Sequence, residues 1–169
     1  METKELKHDC GSLKINLGCG RLKGKGEIGV DIMPYTDNKG NQIVDIVRDV
    51  EKRGLPFCDN SAELIIADNV LEHFDDLEFV LNECHRVLHR GGVLQGVVPN
   101  AGSDGSFRDP THKRFFTKST FDYFCGQSEI QPDRPIHPKY ARYGFLPWEK
   151  LEVHRPNNDG SIVFKMRPI

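Results

Sequence analysis

The apolar positions of this chain cluster in short runs, and the first runs end on glycine or on an acidic residue. Buried strands of α/β sheets show this short, continuous apolar pattern. The clearest runs are Leu13–Leu17 before Gly18-Cys19-Gly20, Ile28–Val30 before Asp31, and Leu64–Ala67 before Asp68-Asn69. Because ligands of open α/β sheets bind outside the carboxyl ends of the strands, the pattern predicts a site built from a glycine turn and several acids.

The remaining pattern predicts two helices, two further parallel strands and a hairpin. Apolar residues recur on one helical face from Leu77 to Leu88, with Asp75 or Asp76 as N-cap and Gly91-Gly92 as the stop. The other expected elements are strands at Gln42–Val47 and Val93–Val98, a turn at Glu51–Gly54, a loop at Asn100–Asp109, a helix at Thr117–Phe124, and a hairpin of Lys150–His154 and Ser161–Met166. This order predicts a three-layer α/β sandwich with a mainly parallel sheet.

The connection between the first two strands is unusually short. Asp31 follows Gly20 by 11 residues, whereas a dinucleotide-binding fold places its acid about 20 residues after the glycine turn, behind a full helix. We therefore expect the first helix to be truncated and replaced by a loop at Arg21–Gly26. The N-terminal arm or a second subunit of a homodimer would then cover that part of the sheet.

The residues at the strand ends favour a nucleoside-containing cofactor. Glycines allow the backbone to approach a ligand, and an acid after the second strand can accept hydrogen bonds from both ribose hydroxyls. Asp31, Asp49 and Asp68 follow successive predicted strands. Lys23 occupies the position where Gly-x-Gly-x-x-Gly requires its third glycine, which disfavours a nicotinamide or flavin dinucleotide.

Composition narrows the class of protein. The 169 residues fit one domain, residues 1–169, with residues 1–12 as an N-terminal arm and 100–147 as substrate-side loops and cap. A net charge of −2 gives no reason to expect nucleic acid or a membrane as partner. Five cysteines without a Cys-x-x-Cys pair, and no apolar run near the roughly 20 residues of a membrane span, predict a cytoplasmic protein with reduced thiols.

Several motifs in order resemble the class I S-adenosylmethionine-dependent methyltransferases, specifically the small-molecule type 11 group. The resemblance is dense from residue 13 to about residue 98 and looser beyond. It is carried by Ile15-Asn16-Leu17-Gly18-Cys19-Gly20, Val30-Asp31, Asp49, Leu55-Pro56-Phe57-Cys58-Asp59-Asn60-Ser61, Val70-Leu71-Glu72-His73-Phe74 and Leu88-His89-Arg90-Gly91-Gly92. It implies a Rossmann-like seven-stranded sheet in the order 3-2-1-4-5-7-6, with S-adenosylmethionine as cofactor and S-adenosylhomocysteine as product.

The resemblance also implies which residues hold the cofactor. The glycine turn would lie against the methionine part, Asp31 would hold the ribose hydroxyls, and Asp49 would accept from the adenine amino group with Val50 against the ring. The full implied set is Leu17, Gly18, Cys19, Gly20, Asp31, Ile32, Asp49, Val50, Asp68, Asn69 and Val70. Asn16 departs from the family pattern, because many members carry an acid at this position.

Two histidines are candidate catalytic bases. Methyl transfer needs an aligned nucleophile and, where necessary, a base for its proton. His73 follows the fourth strand, and His112 lies in Asp109-Pro110-Thr111-His112, which resembles a substrate-side segment of the same group. The alternatives are a packed helix-start residue for His73 and a hydrogen-bonded loop residue for His112. Lys113 and Arg114, next in the chain, would meet an anionic substrate group.

A metal site is not expected from the spacing. Glu72, His73, Asp104, Asp109 and His112 could in principle assemble one, but their separation along the chain matches no standard ligand pattern.

The expected function is methyl transfer from S-adenosylmethionine to an oxygen or nitrogen of a small molecule. Two alternatives remain open: a catalytically degenerate S-adenosylmethionine-binding protein or subunit of a methyltransferase complex, and aminopropyl transfer on the same scaffold. Formation of a methylated product would distinguish the enzyme from the degenerate binding protein. A preference for decarboxylated S-adenosylmethionine would identify aminopropyl transfer.

Overall fold

Seven strands form a single sheet in the computed structural model, which describes residues 12–125, 143–155 and 160–169. The strands are β1 (Leu13–Leu17), β2 (Ile28–Asp31), β3 (Ile46–Val47), β4 (Ala62–Asp68), β5 (Leu88–Pro99), β6 (Trp148–His154) and β7 (Ser161–Pro168). Their order is β3-β2-β1-β4-β5-β7-β6. The pairs from β3 through β5 are parallel, and β7 runs antiparallel to both β5 and β6. This is the predicted Rossmann-like order, with β4 in the centre.

The helices are short apart from one. They are α1 (Val50–Arg53), α2 (Leu77–Val87), α3 (Asp104–Arg108) and α4 (Thr120–Cys125), with a 3₁₀ turn at Leu71–His73. Asp76 caps α2 by accepting a hydrogen bond from the Phe79 amide at 3.0 Å, and the apolar face of α2 is buried. Residues 18–27, all of which are described, contain no helix, so the truncated first connection is confirmed.

The predicted end of α2 is wrong. The helix ends at Val87, and Leu88 already pairs with Ala62 of β4, so Gly91 and Gly92 lie within β5. They form a bulge where the register of the β4–β5 pair shifts: Gly91 has φ +97°, and a Cβ on Gly92 would stand 2.9 Å from the Ala62 carbonyl oxygen. These glycines serve a strand irregularity and not a helix cap.

Other boundaries also differ from the expectation. The third strand is only Ile46–Val47, because Gln42 instead forms an isolated bridge with Thr36. The predicted turn after Asp49 is the one-turn helix α1, which is too short for a hydrophobic period to reveal. The predicted loop after Asn100 contains α3. The hydroxyls of Ser103, which precedes α3, and of Ser106, within it, both donate to the Asn100 carbonyl oxygen. The later helix begins at Thr120 and not at Thr117.

The C-terminal hairpin is confirmed and completes the core. Phe164 of β7 stacks on Phe121 of α4 with ring centroids 5.0 Å apart, and both are fully buried. A buried ion pair, Lys150 Nζ to Asp122 Oδ1 at 2.8 Å, ties α4 to β6.

The first 11 residues and most of the predicted cap lie outside the described residues. Within the described part of the chain, every helix is too short and too polar to cross a lipid bilayer.

Candidate active site

The crevice of the sheet lies where the strand order reverses. β2 flanks β1 on one side and β4 flanks it on the other, so the carboxyl ends of β1 and β4 border a topological switch point. The glycine turn at residues 18–20 directly follows β1, Asp31 is the last residue of β2, and Asn69 directly follows β4. The structure therefore brings the first predicted site residues to one edge of the sheet.

The glycine turn has the geometry of a ligand cradle. Gly18 has φ +65°, and a Cβ there would stand 2.3 Å from Cγ2 of Val70. Gly20 has φ +53°, and no described heavy atom lies within 4 Å of the position that its Cβ would take. The first glycine thus permits close packing of β1 against the β4 side, and the second leaves open space for a ligand.

Asp31 is held in place by the backbone around it. Its Oδ2 accepts from the Gly20 amide at 2.8 Å, and its Oδ1 accepts from the Met33 amide at 3.0 Å. A carboxylate offers about four lone-pair sites, so two such bonds leave acceptor capacity for a pair of hydroxyls. The neighbouring Ile32 side chain is 61% exposed, which makes it available to cover a bound ring. These residues fit a ribose.

Two residues of the predicted set can contribute only their backbone. Leu17 and Cys19 are buried, and the Cys19 sulfur lies 2.7 Å from where a Cβ on Gly29 would be. Burial, with a smaller contribution from the Asp31 charge, raises the pKa of the Cys19 thiol to about 11. The thiol is therefore protonated and unreactive at neutral pH.

A carboxylate that sequence reasoning missed lies beside Asn16. The side-chain amide of Asn16 donates to Oε2 of Glu27 at 2.8 Å, and the same oxygen accepts from the Gly24 amide at 2.8 Å. Partial burial raises the pKa of Asp68, and the Glu27 charge raises it further. Glu27 lies beside Asn16 of β1 and Asp68 ends the adjacent strand β4, so the charges of both carboxylates favour a cationic ligand group near these strand ends.

Asn69 and Val70 connect the two halves of the site. Asn69 has φ +49°, a left-handed conformation that Asn tolerates better than most residues. Its amide donates to the Val97 carbonyl at 2.8 Å, and its side chain lines a cavity beside the crevice. Val70, the next residue, packs under Gly18.

Asp49 and Val50 have structural partners already. Asp49 is the N-cap of α1, accepts from the Lys52 amide at 3.2 Å and pairs with Lys52 Nζ at 3.0 Å, while Val50 is buried. Hydrogen bonding to Lys52 lowers the pKa of the Asp49 carboxyl. Their predicted adenine contacts stay a prediction.

The second half of the site is a cavity of about 760 Å³ at the ends of β4 and β5. It is lined mainly by polar and charged residues, among them Glu72, His73, Ser103, Arg108, Asp109 and His112. The structure therefore brings the two predicted histidines together: their rings lie 4.8 Å apart in an edge-to-face arrangement. Lys113 and Arg114 instead form hydrogen bonds to residues 74 and 75. They hold that loop in place and do not line this cavity.

Glu72 is the most unusual group in the cavity. It is 1% exposed, and neither carboxylate oxygen has a hydrogen-bond partner among the described residues. Its closest basic atom is His112 Nε2, 3.9 Å from Oε1, which is beyond hydrogen-bond distance. Burial raises the pKa of Glu72 to about 6, although its own backbone amide and, to a smaller extent, the nearby His112 oppose the shift.

The chain has the fold and crevice of a class I S-adenosylmethionine-dependent methyltransferase. The sequence model of the family described as "Methyltransferase domain" matches residues 10–95, about half of the chain. The chain belongs to this family, and the family and fold imply S-adenosylmethionine as the cofactor.

Individual relatives agree at the level of the fold. A methyltransferase from Aquifex aeolicus superposes with a TM-score of 0.62 at 11% identity, covering 94% of this chain and 83% of its own. One from Archaeoglobus fulgidus gives 0.57 at 16% identity, covering 92% and 86%. Malonyl-[acyl-carrier protein] O-methyltransferase 1 of Coxiella burnetii is 46% identical over 44 residues, which span 26% of this chain and only 16% of that relative.

Proposed function

We propose that this protein transfers a methyl group from S-adenosylmethionine to an oxygen or nitrogen of a small-molecule acceptor. The observation that carries the proposal is the continuity of the two half-sites through consecutive residues. Val70 packs under Gly18 in the cofactor crevice, and Asn69 lines the adjoining cavity. An acceptor in the cavity would therefore lie beside the reactive end of a cofactor in the crevice.

The cofactor would be held from both ends. Asp31 binds the ribose hydroxyls, and the open backbone at Gly20 receives the methionine part. Many family members carry an acid at position 16. Here Glu27, whose carboxylate accepts a hydrogen bond from Asn16, supplies that carboxylate near the methionine end of the cofactor. The cofactor brings a methyl group already activated by its sulfonium, so these residues need only bind and orient it.

The acceptor would be polar and of modest size. A cavity of about 760 Å³ lies in the usual range for small-molecule sites, and its lining of carboxylate, imidazole and hydroxyl groups suits a hydroxylated or sugar-like intermediate. The S–CH₃ bond breaks as the acceptor lone pair forms the new bond to carbon, and the acceptor proton leaves towards the cluster of His73, His112 and Glu72. The Coxiella relative is named for O-methylation, which is compatible with an oxygen acceptor.

Incubation with radiolabelled S-adenosylmethionine and a cell extract split at 3 kDa tests this proposal. We expect a new labelled product in the small-molecule fraction, separated by chromatography from S-adenosylmethionine itself. This product should be strongly reduced in the double variant His73→Ala with His112→Ala and unchanged in His154→Ala, an exposed histidine of β6. Label in the large fraction would contradict the small-molecule acceptor. Cofactor binding without any product would favour the binding-protein alternative.

A further inference from the structure

We propose that Glu72, His73 and His112 form a binding site for a divalent transition-metal ion in the acceptor cavity. One potential ligand atom from each of the three residues lies within 4.8 Å of the others. Two imidazoles and one carboxylate are a donor set that first-row divalent metals bind well. Residues 72–73 and 112 are about 40 positions apart in the chain, so only the fold assembles the set.

The orphaned carboxylate is the first argument for a cation. A fully buried carboxylate without a hydrogen bond or a close positive charge is unfavourable in a folded protein. Glu72 is 1% exposed and both its oxygens lack a partner in the described part of the chain, yet it lines the cavity wall. A bound cation would supply the missing partner.

The orientation of His112 is the second argument. Its Nδ1 lies 2.9 Å from the Ser106 carbonyl oxygen, which can only accept, so Nδ1 carries the proton. Nε2 therefore has the lone pair, and Nε2 is the atom that lies near both Glu72 and Asp109, at 3.9 Å from each carboxylate. The side chain is 7% exposed. The hydrogen bond at Nδ1 therefore leaves Nε2, between the two carboxylates, as the ring atom that can bind a metal.

The hydrogen bonds of His73 also determine which of its ring nitrogens carries the proton. The Thr111 hydroxyl donates to Asp109 Oδ1 at 2.7 Å, so its oxygen accepts from His73 Nδ1, 3.0 Å away. The chain Asp109–Thr111–His73 therefore leaves Nε2 of His73 as the basic nitrogen. A histidine that binds a metal usually donates its other ring N–H to an acceptor in this way, here the Thr111 hydroxyl.

The distances require only a small contraction. Ligand atoms at about 2.1 Å from one ion stand roughly 3 to 3.5 Å apart, so the longest separation, at most 4.8 Å, must close by up to roughly 1.3 to 1.8 Å. The mixture of two nitrogens and one oxygen favours Mn²⁺, Fe²⁺, Co²⁺ or Zn²⁺ over Mg²⁺ or Ca²⁺, which prefer all-oxygen ligands. Three protein ligands leave coordination positions open.

Those open positions face the cavity proposed for the acceptor. A divalent ion there would bind an acceptor hydroxyl, lower its pKa and fix its oxygen for in-line attack. With the ion bound, His73 and His112 would hold the ion, and the proton released by the acceptor hydroxyl would pass to solvent water and not to the imidazoles. This use of the ion rests on the proposed methyl transfer, whereas binding of the ion rests only on the three side chains.

Titration of the EDTA-treated protein with Co²⁺ and Zn²⁺ tests the site. We expect one ion per chain by calorimetry, and visible Co²⁺ absorption bands from nitrogen ligation. Glu72→Gln and His112→Gln should each weaken binding at least 30-fold, with circular dichroism confirming that both variants fold. The double variant Glu152→Gln with His154→Gln, an exposed Glu–His pair 3.1 Å apart on β6, is the matched control and should bind like the wild type.

Two results would overturn the proposal: no stoichiometric binding of either ion, or binding that survives both cavity variants. S-adenosylhomocysteine binding is measured on the same samples in EDTA. Retained binding of that ligand without binding of either ion refutes the metal site alone. If the wild type does not bind S-adenosylhomocysteine, the proposed function is refuted instead.

Discussion

At the scale of single residues, Glu72 is expected to cost stability in the metal-free protein. Its pKa is raised to about 6 by burial, so the folded state favours the protonated form, and the charged form present at pH 8 is destabilising. In EDTA at pH 8, Glu72→Gln should raise the free energy of unfolding by about 2 kcal/mol, or the melting temperature by roughly 4–8 °C.

Thermal unfolding of wild type and variant measures this directly. Glu63→Gln is the control, because Glu63 is half-exposed on β4 and has only a 3.4 Å ion pair with Lys14. It should change the melting temperature by about 1 °C or less. A lower melting temperature for Glu72→Gln would show that Glu72 has a stabilising partner in the folded protein.

Gly20 offers a second residue-scale prediction. Gly20→Ala meets no described atom within 4 Å, so its cost to folding should be only the roughly 1–2 kcal/mol of a left-handed alanine. Its methyl group would nevertheless occupy the open space proposed for the cofactor, and the dissociation constant for S-adenosylhomocysteine should rise at least tenfold by calorimetry.

Gly91→Ala is the matched control for this variant. Gly91 also has a positive φ and no described atom within 4 Å of an added Cβ, but it lies in the first part of β5, away from the carboxyl edge. It should show similar destabilisation with unchanged affinity. Equal affinities in the two variants would contradict a ligand at Gly20.

Glu27 should matter for binding through its charge. Glu27→Gln can keep an oxygen acceptor for the Gly24 amide but removes the carboxylate proposed to meet a cationic group of the cofactor. We expect affinity for S-adenosylmethionine to fall about tenfold, equivalent to about 1.4 kcal/mol, by calorimetry. Glu63→Gln again serves as the control, and an unchanged affinity in Glu27→Gln would refute this role.

Local sequence pattern predicted the candidate residues that stand at strand ends. It missed those whose surroundings depend on contacts between distant parts of the chain. Gly18, Gly20 and Asp31 stand at strand ends, where a motif reveals them. The Glu27 carboxylate reaches Asn16 across 11 positions, a contact that no local pattern signals. Glu72 belongs to a motif, but its burial without a hydrogen-bond partner among the described residues appears only once the cavity is formed.

At the scale of elements, one charged network fastens the segment before β4 to α2. Arg86 donates to both oxygens of Glu83, at 2.7 and 2.8 Å, and to the carbonyl oxygens of Leu55 and Phe57. Glu83 in turn accepts from the Leu55 amide at 2.8 Å. The network holds an irregular segment, residues 55–59, that has no secondary structure of its own.

This network predicts a pH dependence. Hydrogen bonding to Arg86 lowers the pKa of Glu83, so its contribution to stability is fully present above the ordinary value near 4.5 and is lost as the pH falls through the lowered pKa. Glu83→Gln should be about 1–2 kcal/mol less stable than wild type at pH 7. The difference should shrink as the pH falls below about 4.5 in urea-unfolding measurements.

Because other carboxyls also titrate in this range, the measured quantity is the difference between variant and wild type. The corresponding difference for Glu63→Gln should be nearly flat. A constant difference for Glu83→Gln over the same pH range would mean that Glu83 is not charged and paired in the folded protein.

The predicted boundaries of elements were wrong where the same residue types occur in two kinds of structure. Gly91-Gly92 after an apolar helix is a standard stop signal, but here tertiary pairing of Leu88 with Ala62 ends the helix earlier and places the glycines in a bulge. The helices α1 and α3 have four and five residues, too few for periodicity to distinguish from turns. By contrast α2, with three turns and one apolar face, was predicted nearly to its ends.

At the scale of the whole molecule, the strand order came from the resemblance and not from local pattern. Periodicity can identify β6 and β7 as a hairpin, but insertion of β7 between β5 and β6 is a family property that the sheet confirms. The same order places the cofactor crevice beside β1 and the polar cavity beside β4 and β5. This separation is what the proposed transfer between two bound molecules requires.

The most direct test of the account is calorimetric titration with S-adenosylmethionine and S-adenosylhomocysteine, with NAD as a negative control. We expect both adenosyl ligands to bind one per chain and NAD not to bind. Asp31→Asn should weaken both at least tenfold, since a charged acceptor for the ribose hydroxyls is lost. Asp59→Asn, an exposed acid before β4, should leave both unchanged. Absence of binding to ligand-free, folded wild type, or equal binding by Asp31→Asn, would contradict the central claim.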